Sequence, residues 1–179
     1  MAAGMNKRIA VVVALASLSL SSAASAELLL GPRVALTVPV PGLLPELGGA
    51  LELRIATHNR MTAFGLGLQS RLDGEAGLVS VDTAATWFLG ASERWVPYAG
   101  GGMQLRQMFF RQTRFTSIAA QGVVGVMSSR SGSARLFVEL RAVQNLLAFG
   151  PQDSVRGTPR PMPLEAMRFE PSVQAGVLF

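Results

Sequence analysis

The sequence predicts an all-β chain: a single eight-stranded antiparallel up-and-down transmembrane β-barrel, preceded by a cleaved signal peptide. Three observations predict it. After Ala26, apolar residues recur at every second position, turn-forming residues cut the chain into eight such runs, and no stretch is long and apolar enough for a membrane helix. Composition narrows the field further. The 179 residues are 49% hydrophobic, 15% charged and free of cysteine. That is too apolar for disorder, too short for several ordinary domains and well below the ~25% charge of soluble domains. Disulfide-stapled scaffolds and cysteine-type zinc sites are excluded.

The first element is an address. Lys7 and Arg8 precede an apolar run, Ile9 to Leu20, and small residues ending in Ala24-Ser25-Ala26 follow, the pattern a signal peptidase reads. The run is shorter than the ~20 residues a helix needs to cross a bilayer. The expected organisation is therefore a leader over 1–26 and one barrel domain over 27–179. Lys7 is the only lysine, so every later cation is an arginine. These arginines are scattered rather than gathered on one face, so no nucleic-acid partner is expected.

The strands are expected near 28–38, 49–58, 62–72, 76–89, 94–106, 115–128, 133–146 and 166–179. In the second, Leu51, Leu53 and Ile55 oppose Glu52 and Arg54. In the seventh, Ala134, Leu136, Val138, Leu140 and Ala142 oppose Arg135, Phe137, Glu139 and Arg141. In the last, Met167, Phe169, Val173, Ala175, Val177 and Phe179 oppose Arg168, Glu170, Ser172 and Gln174, with Pro171 removing one ladder donor. The connections alternate between short polar turns (58–61, 90–93, 129–132) and a mostly longer set (39–48, 73–75, 107–114, 147–165). Short turns at one end and longer loops at the other are the pattern of a membrane barrel.

Alternation alone does not say which face meets hydrocarbon. The charges do: Arg33, Glu52, Arg54, Arg71, Asp82, Arg106, Arg135, Glu139, Arg141, Arg168 and Glu170 all take the polar parity, and the apolar parity carries none. A lipid-facing arginine at the midplane costs about 2–4 kcal/mol, so such an exclusion is what a lipid-facing wall requires. Aromatic residues form two groups at opposite strand ends. Trp87, Phe88, Trp95 and Tyr98 lie by a short turn, whereas Phe109, Phe110, Phe115, Phe149 and Phe169 lie by the longer loops. Two such belts are expected of interfacial anchors.

Three segments resemble a known family, the small outer-membrane β-barrel proteins of the OmpA and OmpX type. They are Pro97-Tyr98-Ala99-Gly100-Gly101-Gly102, Phe137-Val138-Glu139-Leu140-Arg141 and the C-terminal Val173-Gln174-Ala175-Gly176-Val177-Leu178-Phe179. The resemblance covers essentially all of 27–179 and implies residence in the cell outer membrane of a Gram-negative envelope. It further implies contact with outer-membrane lipid and lipopolysaccharide. It makes Val173, Ala175, Val177 and Phe179 the signal read by the barrel-assembly machinery. No peptidoglycan-binding domain follows, so wall anchoring is not carried over.

An eight-stranded barrel is just wide enough for its own side chains, so the interior charges read as an ion-paired network rather than a pore lining. Arg33 is expected to pair with Glu52, and Glu139, Arg141, Arg168 and Glu170 to form a second set. A narrow anion-preferring conduit is the alternative, on the excess of arginines over acids. No enzyme is expected: the only histidine, His58, lies at a short turn with no serine on its own strand, although Ser128, Ser129 and Ser131 share that end. One histidine and no clustered carboxylates give no metal set, and no cofactor is implied. Arg106, Arg111 and Arg114 near one loop, and Arg156 and Arg160 in another, could grip lipopolysaccharide phosphates. Glu46, Asp73, Glu75, Asp153 and Glu165 at the same end balance them as solvated loop charges. The sequence thus expects a non-enzymatic barrel with a structural, envelope-integrity or surface-interaction role. A transport or small-ligand barrel, and a secreted soluble barrel binding a hydrophobic ligand, are the rival readings. Nothing in the sequence sets an oligomeric state.

Overall fold

A computed structural model describes residues 26–40, 44–74, 76–90, 94–110, 113–128, 134–150 and 169–179. The expected leader thus lies outside the described residues, apart from Ala26, as do Arg168, Arg111, Arg156 and Arg160. Eight strands form: β1 (Glu27–Thr37), β2 (Glu46–Ala56), β3 (Arg60–Arg71), β4 (Ala76–Phe88), β5 (Trp95–Phe110), β6 (Thr113–Ser128), β7 (Arg135–Phe149) and β8 (Phe169–Leu178). Each pairs antiparallel with its sequence neighbours, and β8 pairs with β1, so the sheet closes in the order β1 to β8. Closure leaves no unpaired edge, which is what a sheet needs in a medium that offers no hydrogen bonds.

Orientation follows from burial. Leu28, Leu36, Leu51, Leu66, Val81, Leu105, Leu136 and Leu140 are exposed, while Arg33, Glu52, Arg54, Asp82, Arg106, Glu139 and Arg141 are buried. Leu140 is 56% exposed beside Arg141 at 2%. An apolar exterior around a charged interior is the inverse of a soluble barrel, and it makes the outer wall a hydrocarbon-facing surface. The soluble reading, which turned the apolar stripe inward, is thereby overturned.

The start of β1 and the end of β8 lie at the same end of the barrel as the end of β2, the start of β3, the end of β4, the start of β5, the end of β6 and the start of β7. Exposed Trp87, Trp95 and Phe179 form a girdle there, and exposed Phe149 and Phe169 form one towards the opposite end. Three aromatic expectations are corrected: Tyr98 and Phe115 are buried inside the lumen and Phe88 is half-buried against the luminal cluster, because their positions fall on the inward parity of β5, β6 and β4.

Two loop expectations are also corrected. β5 and β6 run on to Phe110 and from Thr113, in register to Phe110↔Thr113, so the loop expected over 107–114 shrinks to a hairpin link. There Thr116 donates to Gln107 at 3.0 Å, and the Gln107 amide donates to the Phe115 carbonyl at 3.1 Å. Polar side chains satisfy one another on the outer wall, so β polarity alone does not end a strand. At the other site, β2 starts at Glu46, and Glu46 is buried opposite Arg71 rather than solvated in a loop. Gly48 reads as the end of a loop but pairs with Gln69 as a strand residue, and a Cβ there would lie 2.4 Å from the Gln69 Cγ.

Among the described residues, β7 carries a register shift, opposite Ile118/Ala119. Ala119 pairs with Asn145 and Ile118 with Leu147, so Leu146 is the extra residue. Leu146 and Leu147 both face outward, and the alternation resumes with Ala148 buried. The closing seam runs from Val40↔Phe169 through Arg33↔Gly176 to Leu30 and Phe179, which exchange two backbone bonds of 3.0 Å.

Candidate functional site: an ion-paired lumen

The lumen fills in layers set by height along the strands. Most inward residues next to the short-turn end are apolar: Leu29, Ala56, Met61, Met127, Phe137 and Leu178 pack in one cluster with Tyr98. This layer was not anticipated, because attention to the charges on that parity passed over the apolar residues sharing it. Its signal was in the sequence, at the strand ends. Gly125 and Gly176 make room for it: a Cβ at Gly125 would lie 2.8 Å from the Tyr98 ring, and one at Gly176 would lie 2.6 Å from the Phe137 ring.

At mid-height Arg33, Arg54 and Arg141 meet Glu52, Asp82 and Glu139. Arg33 reaches Glu52 at 3.2 Å and Asp82 at 2.5 Å. Arg54 donates to Glu52 and Glu139, each at 3.1 Å, and to the Tyr98 hydroxyl at 3.1 Å. Its guanidinium lies 3.9 Å from the centroid of the Phe137 ring, so its face is covered by an aromatic while its edges donate. Arg141 donates to Glu52 and Asp82 at 3.0 Å each and to Glu139 at 2.5 Å. Tyr98 donates to Glu139 at 2.8 Å. The set is neutral, three guanidiniums to three carboxylates, which is the condition for holding ions where water is scarce.

Nearer the loops, Arg106 pairs with Glu170 and donates to Asn145 at 3.0 Å, and Gln104 donates to Gln121 at 2.9 Å. Leu78, Met108, Phe115 and Ala148 make a small apolar cluster beside them. Arg71 reaches Asp73 at 2.8 Å at the loop end, and Arg135 pairs with Glu27 at the turn end.

These placements bring Arg33, Glu52, Arg54, Asp82, Glu139 and Arg141 together and separate others. Glu170 does not join Glu139 and Arg141. It faces Val143 on β7, whereas Glu139 faces Gln174, four residues further along β8, about 13 Å away at ~3.3 Å per residue. Arg106 points into the lumen and is not available to a surface phosphate. Every interior arginine among the described residues has an acidic partner, so the excess of positive charge behind the anion-conduit reading is absent there. Val173 and Phe179 are exposed and Ala175 and Val177 half-buried, all on the outer wall. His58 is exposed at the β2–β3 turn, and the Ser128 hydroxyl accepts the Leu136 amide at 3.0 Å; Ser129 and Ser131 lie outside the described residues.

No protein-family model matches the sequence, and no curated protein is significantly similar to it. Among solved structures, Neisserial surface protein A (NspA) superposes with a TM-score of 0.66 at 13% identity, over 86% of this chain and 97% of that one. Ail, the attachment invasion locus protein of Yersinia pestis, aligns over the same shares with a TM-score of 0.45 and 10% identity. The likeness to NspA is one of fold, and together with the apolar wall and charged lumen it makes this chain an eight-stranded β-barrel protein of the outer membrane.

Proposed function

We propose that the protein is a non-conducting, non-enzymatic barrel that acts through its outer wall and loops, in envelope integrity or surface interaction. One observation carries the reading: the lumen is crossed at mid-height by Arg33, Arg54 and Arg141 bonded to carboxylates from β2, β4 and β7, above a packed apolar layer. An ion crossing it would have to break several buried pairs at once, at several kcal/mol. The fold it shares with NspA, a Neisserial surface protein, supports the same direction. The assembly role of Val173, Ala175, Val177 and Phe179 belongs to this proposal too.

The test is electrical. The purified, heat-modifiable barrel reconstituted in planar bilayers should show no discrete conductance steps. Reproducible unitary steps from the folded form would overturn the reading in favour of transport.

A further inference from the structure

We infer that the loop half of the lumen holds a small polyhydroxyl solute, a polyol or a monosaccharide, in a chamber between the ionic layer and the loop end. An eight-stranded barrel is filled only where its inward side chains are large enough. Above the ionic layer, on β1 to β4, they are small. Ala50, Gly67 and Ser80 stand in register on β2, β3 and β4, and Ala35 is the inward residue that follows Arg33 on β1. A Cβ placed on Gly67 would have as its three nearest neighbours the Ser80 hydroxyl, the Ala50 Cβ and the Gly49 carbonyl, all of β2 and β4. Ala50 and Gln69 keep accessible surface although both take the inward parity. The long side chains of β5 and β6 are bonded elsewhere. Gln104 donates to Gln121 at 2.9 Å, Gln121 to the Thr83 carbonyl at 3.1 Å, and Arg106 is tied to Glu170 and Asn145.

Polar atoms border this space. The Thr37 hydroxyl, the Gln69 and Gln174 amide oxygens and the Arg106 Nε–H have no hydrogen-bond partner among the described residues. Thr37 is 2% exposed, Gln174 4% and Arg106 1%. Register gathers them: Gln174 faces Ala35, Ala35 faces Gly48, Gly48 faces Gln69, and Thr37 is the next inward residue after Ala35. Arg106 faces Ser80 and closes the set from β5. Buried polar groups are almost always bonded, so these call for a partner.

Their mixture selects the occupant. A guanidinium N–H only donates, an amide oxygen only accepts, and a hydroxyl does both. A metal ion or an ammonium group offers nothing to Arg106, and a carboxylate or phosphate offers nothing to the glutamines. Hydroxyl groups answer all of them. Thr37 is the last residue of β1, so the chamber lies just beneath the loop end, and the pairs of Arg33 with Glu52 and Asp82 form its floor. The solute enters from the loops and does not cross. Conductance tests that floor and solute titration tests the chamber, so the two readings fail separately.

The labelled barrel in lipid nanodiscs, free of sugar detergents, is titrated with glycerol and with glucose while NMR follows the side-chain amides of Gln69 and Gln174. The wild type should show saturable shifts with at least one of them. Thr37→Val keeps the shape but removes the hydroxyl, and should weaken binding about tenfold, the value of one hydrogen bond. Ala50→Leu fills the chamber and should abolish the shifts, whereas Ala85→Leu, exposed on the outer wall of β4, should bind like the wild type. Each variant is first shown to be heat-modifiable. Shifts that stay linear with both solutes overturn the inference and leave water in the chamber. So does wild-type binding in Thr37→Val or Ala50→Leu, or saturation by methylammonium or acetate at a lower concentration than either polyhydroxyl probe.

Discussion

Glu139 shows how much one side chain can hold together. Its carboxylate accepts from Arg54, Arg141 and Tyr98, so it ties β7 to β2 and β5 and fixes the phenol that closes the apolar layer. The pairs are weak evidence of net stability, because desolvation offsets their attraction, but removal of one partner leaves a guanidinium buried without its counter-charge. Glu139→Ala should therefore destabilise the folded barrel by about 3–5 kcal/mol. Heating in detergent before electrophoresis reads this directly: the compact band should convert to the unfolded one at a clearly lower temperature than in the wild type. The Glu139–Arg141 pairing was legible in the sequence because the two residues share a parity on one strand. The contact of Arg54 with Glu139 was not. It joins residues 85 positions apart, through a barrel centre that no local pattern describes.

Among the strands, β7 and β8 show both the strength and the limit of reading alternation. Parity assigned the faces of Leu136 to Ala142 and of Val173 to Phe179, but it does not reveal a bulge, and Leu146–Leu147 broke it with two neighbouring apolar residues. Strand ends were misread where a glycine (Gly48) or a polar residue (Gln107) looked like a turn, since what decides pairing is the partner across the ladder. Depth along the wall makes its own prediction. Leu140→Arg, near mid-height, should cost about 2–4 kcal/mol, while Leu72→Arg, at the loop end of β3, should cost ~0–1 kcal/mol. Urea titration of the two variants in lipid vesicles measures the difference, and equal costs would contradict the assigned depths. The seam supplies another. Phe179 bonds Leu30 through its backbone, so Phe179→Ala keeps those bonds and loses only the exposed ring. If that ring serves recognition during assembly, the variant should refold from urea in detergent like the wild type and still accumulate less folded barrel in the outer-membrane fraction. Matched losses in both assays would assign the ring to stability instead.

For the whole molecule, the proposed function has two stacked barriers of different chemistry closing the lumen, and this predicts how it opens. The ionic layer blocks by bonded side chains, the apolar layer by packing that excludes water, and the two are in series. Taking out either alone leaves the other in place. Arg54→Ala should give a folded barrel without measurable conductance, since Met61, Phe137, Tyr98, Met127 and Leu178 still pack across the turn end. Met61→Ala with Phe137→Ala should also stay silent, because Arg33 and Arg141 still bridge Glu52, Asp82 and Glu139. The triple variant removes both, and the balance of its lining changes sign: three carboxylates then face only Arg33 and Arg141. Its conductance in planar bilayers should be small, present only in the triple variant, and cation-selective, with a reversal potential towards the potassium value in a KCl gradient. An anion-selective step, or conductance already present after Arg54→Ala, would show that the lumen is not sealed by these two layers.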